Sequence, residues 1–140
     1  MLTKDITSAN ATVYASGDYG PQEFKQFSAD SAWSVDEIEF LEHRMGVDGH
    51  VAVGFTPVEK SITFTFEANS PTLYWLGDMY RAMEKAKRPF YLTIAITVPS
   101  VGKKYTLNNC YLTSFKVIPD GGRTLEPVDA TFTFESIDII

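Results

Sequence analysis

The chain of 140 residues carries a formal net charge of −6, is 44% hydrophobic and 14% aromatic, and has one cysteine. Residues 1–140 fit a single domain with a core that needs no staples, and the lone Cys110 excludes an internal disulfide and a multi-cysteine metal site. The acidic balance disfavours nucleic-acid binding by phosphate neutralisation, and it does not rule out a surface that DNA must slide past without sticking.

The first residues are polar and lack the apolar segment of a secretory signal. The whole stretch 1–27 is expected to be mobile or to serve contacts between subunits. Within it, Ala11–Ala15 is a short strand candidate, Ser16–Pro21 a dense turn signal, and Phe24–Ala29 a second short strand. Trp33–Met45 is ambiguous. Ser34-Val35-Asp36-Glu37 fits a capping box, whereas Ile38 and Phe40 alternate with Glu37, Glu39 and Leu41, and the pattern alone leans to helix. Asp48-Gly49 then predicts a type I′ hairpin turn. Val51, Val53 and Phe55 alternate with Ala52 and Gly54.

Ser61–Val98 reads strand, helix, strand. Ile62, Phe64 and Phe66 alternate with Thr63, Thr65 and Glu67, the period of a half-buried strand. Ser70 is a helix cap and Pro71 suits the first helical position. Leu73, Leu76, Tyr80, Met83 and Lys87 then fall on one face, widened by Trp75, Met79, Ala82 and Ala86. Lys85, Lys87 and Arg88 close the helix at about 71–88, and Pro89 stops it. Phe90–Val98 alternates again. One helix between two strands with apolar faces invites packing on a sheet or capping of a barrel.

Tyr105–Ile118 is long enough for one bent strand or two short ones, with Asn108-Asn109 as a bulge. Cys110 within it reads as a buried structural thiol. Pro119–Arg123 is a loop, and Val128–Ile139 is the last strand. Thr63-Phe64-Thr65-Phe66-Glu67 recurs as Thr131-Phe132-Thr133-Phe134-Glu135, consistent with two strands that solve the same problem.

Chemistry-bearing motifs are sparse. His43 and His50 flank the hairpin turn without a metal-ligand motif. No phosphate loop and no Gly-x-Ser-x-Gly appears. Asp36, Glu37, Glu39 and Glu42 suit a solvated or pore-facing strand edge better than a catalytic pair. No catalytic, cofactor-binding or metal residue is therefore expected, and no apolar run approaches the length of a membrane span.

The run Val35–Pro71 bears on this as a whole. A strand, the Gly46-Val47-Asp48-Gly49 turn, a strand, Ile62-Thr63-Phe64-Thr65-Phe66, and Asn69-Ser70-Pro71 opening a helix together resemble the tail tube protein family of tailed bacteriophages. The likeness is greatest to the small structural proteins of contractile-tailed phages and prophages. It extends over about Ser28–Ile140, and the strand opening Glu126-Pro127-Val128 fits it.

The resemblance implies a mainly β (α+β) fold, an antiparallel β-barrel or two-sheet sandwich with one flanking helix, shared with pyocin and type VI secretion tubes. It makes Val35–Glu42 an extended strand. It also implies a virion tail component, assembled in the bacterial host cytoplasm, that forms hexameric rings stacked into a hollow tube for DNA passage. Expected partners are further copies, the tail sheath, the tape measure, and baseplate or tail-terminator proteins, with neither cofactor nor membrane.

The hairpin Met45, Gly46, Val47, Asp48, Gly49, His50, Val51 becomes the expected subunit interface, since an exposed apolar hairpin marks a partner surface. Glu37, Glu39, Thr63, Thr65 and Glu67 become candidates to face the lumen, where negative charge repels the phosphate backbone. Two rival readings remain: a secretion or pyocin-like tube carrying other cargo, and a hot-dog-like enzyme or carrier with Asp78 as its candidate acid.

Overall fold

The computed structural model describes residues 10–28 and 32–140. Its elements are β1 (Thr12–Gly17), β2 (Gln22–Phe24), β3 (Trp33–Val35), β4 (Leu41–Met45), β5 (Val51–Phe55), β6 (Lys60–Phe66), α1 (Pro71–Ala86), β7 (Leu92–Val98), β8 (Lys103–Phe115), β9 (Val128–Phe134) and β10 (Ser136–Ile139). Every ladder between them is antiparallel. The main path runs β2-β1-β7-β8-β9-β6-β3, with β10 beside β8, and β4-β5 form a separate hairpin.

The main path folds into two layers that share β8. Its first part pairs with β7 and β10, and from Tyr111 onward it pairs with β9. The change of layer falls at the predicted bulge. Asn109 has φ of 53°, a left-handed conformation that asparagine tolerates better than most residues. The pairing with β7 slips between Leu92 and Ile94. The expected strand Val128–Ile139 breaks at the same level. Glu135 interrupts it, and the Glu135 N–H donates to the Asn108 carbonyl at 3.0 Å. Of the two expected architectures, the two-sheet sandwich is observed. Among the described residues the layers meet beyond β8 through the bridge Phe27↔Phe66 rather than a ladder that would close a barrel.

The alternation along β6 and β9 explains the core. Ile62, Phe64, Phe66, Val128, Ala130, Phe132 and Phe134 are buried between the layers, while Thr63, Thr65 and Thr131 point the other way. Phe24 of β2 meets Phe64 edge-on at 5.1 Å and Phe132 at 6.0 Å, which ties the second layer to the first. Such aromatic pairs add about 0.5–1.5 kcal/mol beyond the area they bury. Of the stretch 1–27, residues 1–9 lie outside the described residues. The rest supplies β1 and β2, whose Val13, Ala15 and Phe24 belong to this core.

The helix begins and ends where its residues dictate. Ser70 is the N-cap, its Oγ accepting from the Thr72 N–H at 3.3 Å, and Pro71 opens the first turn. The Ser70 hydroxyl donates to the Lys25 carbonyl, and the Lys25 N–H donates to Thr72 Oγ1 at 2.8 Å. Two side chains of the helix start thus satisfy the backbone where the chain leaves β2. Lys87 is the C-cap in the left-handed region, its N–H bonded to the Met83 carbonyl at 2.8 Å. The helical part therefore stops at Ala86, short of the expected Arg88, and Lys87 leaves the predicted face. That face centres on Thr72, Leu76 and Met79, which are fully buried, with Leu73, Trp75, Ala82 and Met83 at its margins.

Three local expectations are corrected. The expected strand Phe24–Ala29 is not found over its described part: β2 ends at Phe24, and Gln26 at φ 56° turns the chain so that its carbonyl and the Ser28 N–H bond β6 and its exit instead, while Ala29 lies outside the described residues. Val35–Glu42 is not helical, as the resemblance implied, but neither is it one strand. β3 ends at Val35, residues 36–40 are irregular, and β4 starts at Leu41. The hairpin turn is not type I′, because neither Val47 nor Asp48 has positive φ. The Gly49 N–H closes a four-residue turn onto Gly46 at 3.0 Å, Gly49 takes φ 88°, and the Gly46 N–H bonds the His50 carbonyl at 2.7 Å. This is the three-residue loop with a left-handed glycine bulge, a common alternative for the same Asp-Gly pair.

Leu76→Ala is expected to cost about 2–5 kcal/mol, the usual range for emptying a buried leucine site. Tyr74→Ala, one residue pair away but 77% exposed, should stay within about 0.5 kcal/mol. Urea unfolding of both variants checks the assigned helix face.

Candidate assembly surfaces

Among the described residues no group of three or more His, Cys, Asp or Glu could hold a metal ion, and no helix is long and apolar enough to cross a membrane. Asp78 is bonded to Arg81 at 2.7 Å on the exposed helix surface. A surface cleft of about 610 Å³ is lined by Tyr91, Tyr111, Asn109, Lys60 and Glu135 among others. Its polar groups satisfy one another. Asn109 Nδ2 donates to Glu135 Oε2 at 2.7 Å, and Lys60 Nζ donates to the Glu135 carbonyl at 3.2 Å.

The β4-β5 arm is the most unusual surface. All ten of its strand residues are exposed, and it shares no ladder with the sandwich. Its register pairs Leu41 with Phe55, His43 with Val53, and Met45 with Val51, while Glu42 faces Gly54 and Arg44 faces Ala52. Paired residues share a face in a strand pair. One face of the arm is thus five large apolar residues around His43, and the other is charged and small. Val47, fully exposed, crowns the tip. Sequence reasoning placed Met45, Gly46, Val47, Asp48, Gly49, His50 and Val51 at this tip, and the structure brings them together. It missed the arm's length and the parts played by Leu41 and Phe55, although their alternation was visible.

The second surface is the outer face of β6 and β9. Thr63 Oγ1 bonds Thr131 Oγ1 at 3.0 Å, Thr65 Oγ1 donates to Asp129 Oδ1 at 2.8 Å, and Thr113 Oγ1 bonds Thr133 Oγ1 at 2.6 Å. The outward residues Ser61, Thr63, Thr65, Asp129 and Thr131 include no cation, and Thr133 beside them is buried. The repeated Thr-Phe-Thr-Phe-Glu motif is explained here: its two copies are adjacent antiparallel strands. That echo could have added Asp129 and Thr131 to the predicted face. Thr63, Thr65 and Glu67 do lie along one side of β6 and its exit. Glu37 and Glu39 do not join them. They lie on the irregular connector and line a groove with Glu42 and Glu59.

Residues 4–138 match the family described as tail fiber protein gp32. The chain belongs to this family. No curated protein matches it by sequence. Among solved structures, a chain of the anti-feeding prophage cap, the cap that terminates its tube, is 14% identical with a TM-score of 0.64, over 100% of this chain and 93% of that one. A chain of the sheath/tube terminator of the extracellular contractile injection system PVC is 13% identical with a TM-score of 0.67, over 100% and 99%. A chain of the PVC sheath-tube complex is 16% identical with a TM-score of 0.58, over 97% and 91%. The gp32 family member described here thus shares the fold found in tube and tube-terminating assemblies of contractile injection systems.

Cys110 serves packing in this fold. It is fully buried, its Sγ donates to the Leu107 carbonyl at 3.2 Å, and burial pushes the thiol up from 9.0 to about 12. The folded protein should therefore resist alkylation at pH 8 and react only on unfolding. The unfolded thiol ionises first, so this stabilisation is complete below pH 9 and lost as pH rises towards 12. Urea midpoints at pH 8 and 10, compared with those of Cys110→Ala, check it.

Proposed function

We propose that the protein is a structural subunit of a contractile tail. Its copies form hexameric rings that stack into a hollow tube through which DNA passes without specific binding. The observation that carries this reading is the arm. Ten exposed strand residues with one apolar face do nothing for the core of their own chain, and such a patch is expected to meet a partner. Membership of a tail-protein family and the shared fold support it. The expected neighbours are further copies, the sheath, the tape measure, and baseplate or terminator proteins. The expected location is the virion tail, assembled in the host cytoplasm.

The threonine face of β6 and β9 is assigned to the channel. Its hydroxyls bond one another, so they offer few free donors to phosphate oxygens, and the charges beside it, Glu67 and Asp129, repel them. Glu37 and Glu39 are set apart from this face by the connector. A second reading is a single terminating ring, since chains of a tube-terminating cap and of a sheath/tube terminator have the same fold.

Negative-stain electron microscopy of concentrated protein tests both. Tubes of uniform width support the stacking subunit, isolated rings support the terminator, and monomeric particles at every concentration reject both. Thr63→Lys with Thr65→Lys should leave assembly intact and reduce DNA delivery, measured as infectivity of the reconstituted particle. Unchanged delivery would remove this face from the channel.

A further inference from the structure

The two layers leave an open hollow of about 480 Å³ at one end of the sandwich. It is lined by Trp33, Val35, Ile62, Ile96, Tyr105 and Ile137, among others, all of them apolar or aromatic. Val35 is 48% exposed, and Trp33, Tyr105 and Ile137 are only partly buried. A small-molecule site would add a few convergent polar groups to orient its ligand, and the side chains of this lining offer only a tyrosine hydroxyl and an indole N–H. The hollow suits apolar side chains carried on a polypeptide. A cavity of about 150 Å³ takes one benzene ring, so there is room here for two such side chains.

The register of β1 shows which polypeptide is nearest. Thr12, where β1 begins, pairs with Thr97, and Val13 pairs with Ile96. Ile96 and Val98, on either side of Thr97, both line the hollow. Because β1 and β7 are antiparallel, the chain ahead of Thr12 arrives from the side of Val98 and of the turn after β7, where Val101 is a further lining residue. The described chain, which starts at Asn10, thus enters the fold at the rim of the hollow.

We infer that the occupant is the chain's own segment 1–9, seated through Ile6 and Leu2. The segment Met1-Leu2-Thr3-Lys4-Asp5-Ile6-Thr7-Ser8-Ala9 holds these two branched aliphatic residues with three polar ones between them. An extended chain spans about 3.3 Å per residue, so Ile6 reaches about 20 Å from Thr12 and has the whole hollow within range. The tether also decides against a free competitor. A segment joined to the rim by a few residues acts at an effective concentration in the millimolar range, an advantage that no partner in solution shares. Residues 4–138 match the family, so Ile6 lies within the shared domain rather than ahead of it. The segment then completes the core at its open end, by a contact made within one chain and independent of the assembly reading above.

Ile6→Cys in the segment and Val35→Cys at the hollow, joined by a short bismaleimide, test it in the full chain. Cys110 is buried and stays out of the reaction. The doubly substituted protein should run as a monomer on a denaturing gel, with the two cysteine peptides linked in its digest and in the same yield after tenfold dilution. A mixture of the two single variants should stay unlinked. Dimers from that mixture would seat the segment on a second copy, and absence of the linked peptides from every species would leave the hollow to another occupant. Either result overturns the inference. Ile6→Asp should raise binding of the apolar dye anilinonaphthalene sulfonate several-fold and lower the urea midpoint, whereas Lys4→Asp should change neither. Dye binding by Ile6→Asp equal to that of the unsubstituted protein overturns the inference as well. Rings or tubes in the microscope with the cysteines unlinked overturn it and leave the assembly reading standing.

Discussion

The structure depends on a knot of phenylalanine rings between its layers. Phe64 lies at its centre, 5.1 Å from Phe24 and 6.0 Å from both Phe27 and Phe132. Phe27 in turn stacks on Phe66 at 5.1 Å. These rings come from β2, its exit, β6 and β9, so one contact set holds both layers and closes the corner where they would part. The helix adds Leu76 and Met79 to the same buried cluster. The hydroxyls of Ser70 and Thr72 then satisfy the polar backbone of Lys25, which this packing brings to the helix start. Both bonds are part-buried, so their loss would let water in at the joint between β2 and the helix start.

The alternation that made Ile62, Phe64 and Phe66 core residues and Thr63 and Thr65 outward ones was readable directly. So were the Ser-Pro helix start, the buried Cys110 and the bulge at Asn108-Asn109, because each depends on neighbours within a few residues. What escaped depends on distant partners. Val35–Glu42 has the alternation of a strand, yet residues 36–40 have no sheet beside them, and the pattern cannot reveal a missing neighbour. The strand at Val128–Ile139 breaks at Glu135 because Asn108, far away in sequence, takes its N–H. The turn at Asp48-Gly49 was the right signal for the wrong geometry, since Asp-Gly suits both loops and only Gly49 takes positive φ here.

The chain divides its apolar residues between two tasks. Phenylalanines at β6 and β9 are closed off from water within the chain. Leu41, Met45, Val51, Val53 and Phe55 remain in water on the arm, the surface that the proposed assembly would cover. The edges follow the same division. β2 and β3 are three residues each, too short to template aggregation in the monomer, whereas the arm is open and long.

One strand gives the sandwich its mechanical character. β8 runs thirteen residues and belongs to both layers, bonded to β7 and β10 in one and to β9 in the other. Two layers held only by side-chain packing could shear past each other under load, the rings slipping one contact at a time. Here any sliding would have to stretch a covalent backbone or strip several ladders together. Force applied to one layer is therefore delivered to the other along a single peptide chain. The subunit should respond to axial stress as a stiff block, with compliance confined to the arm and its irregular connector.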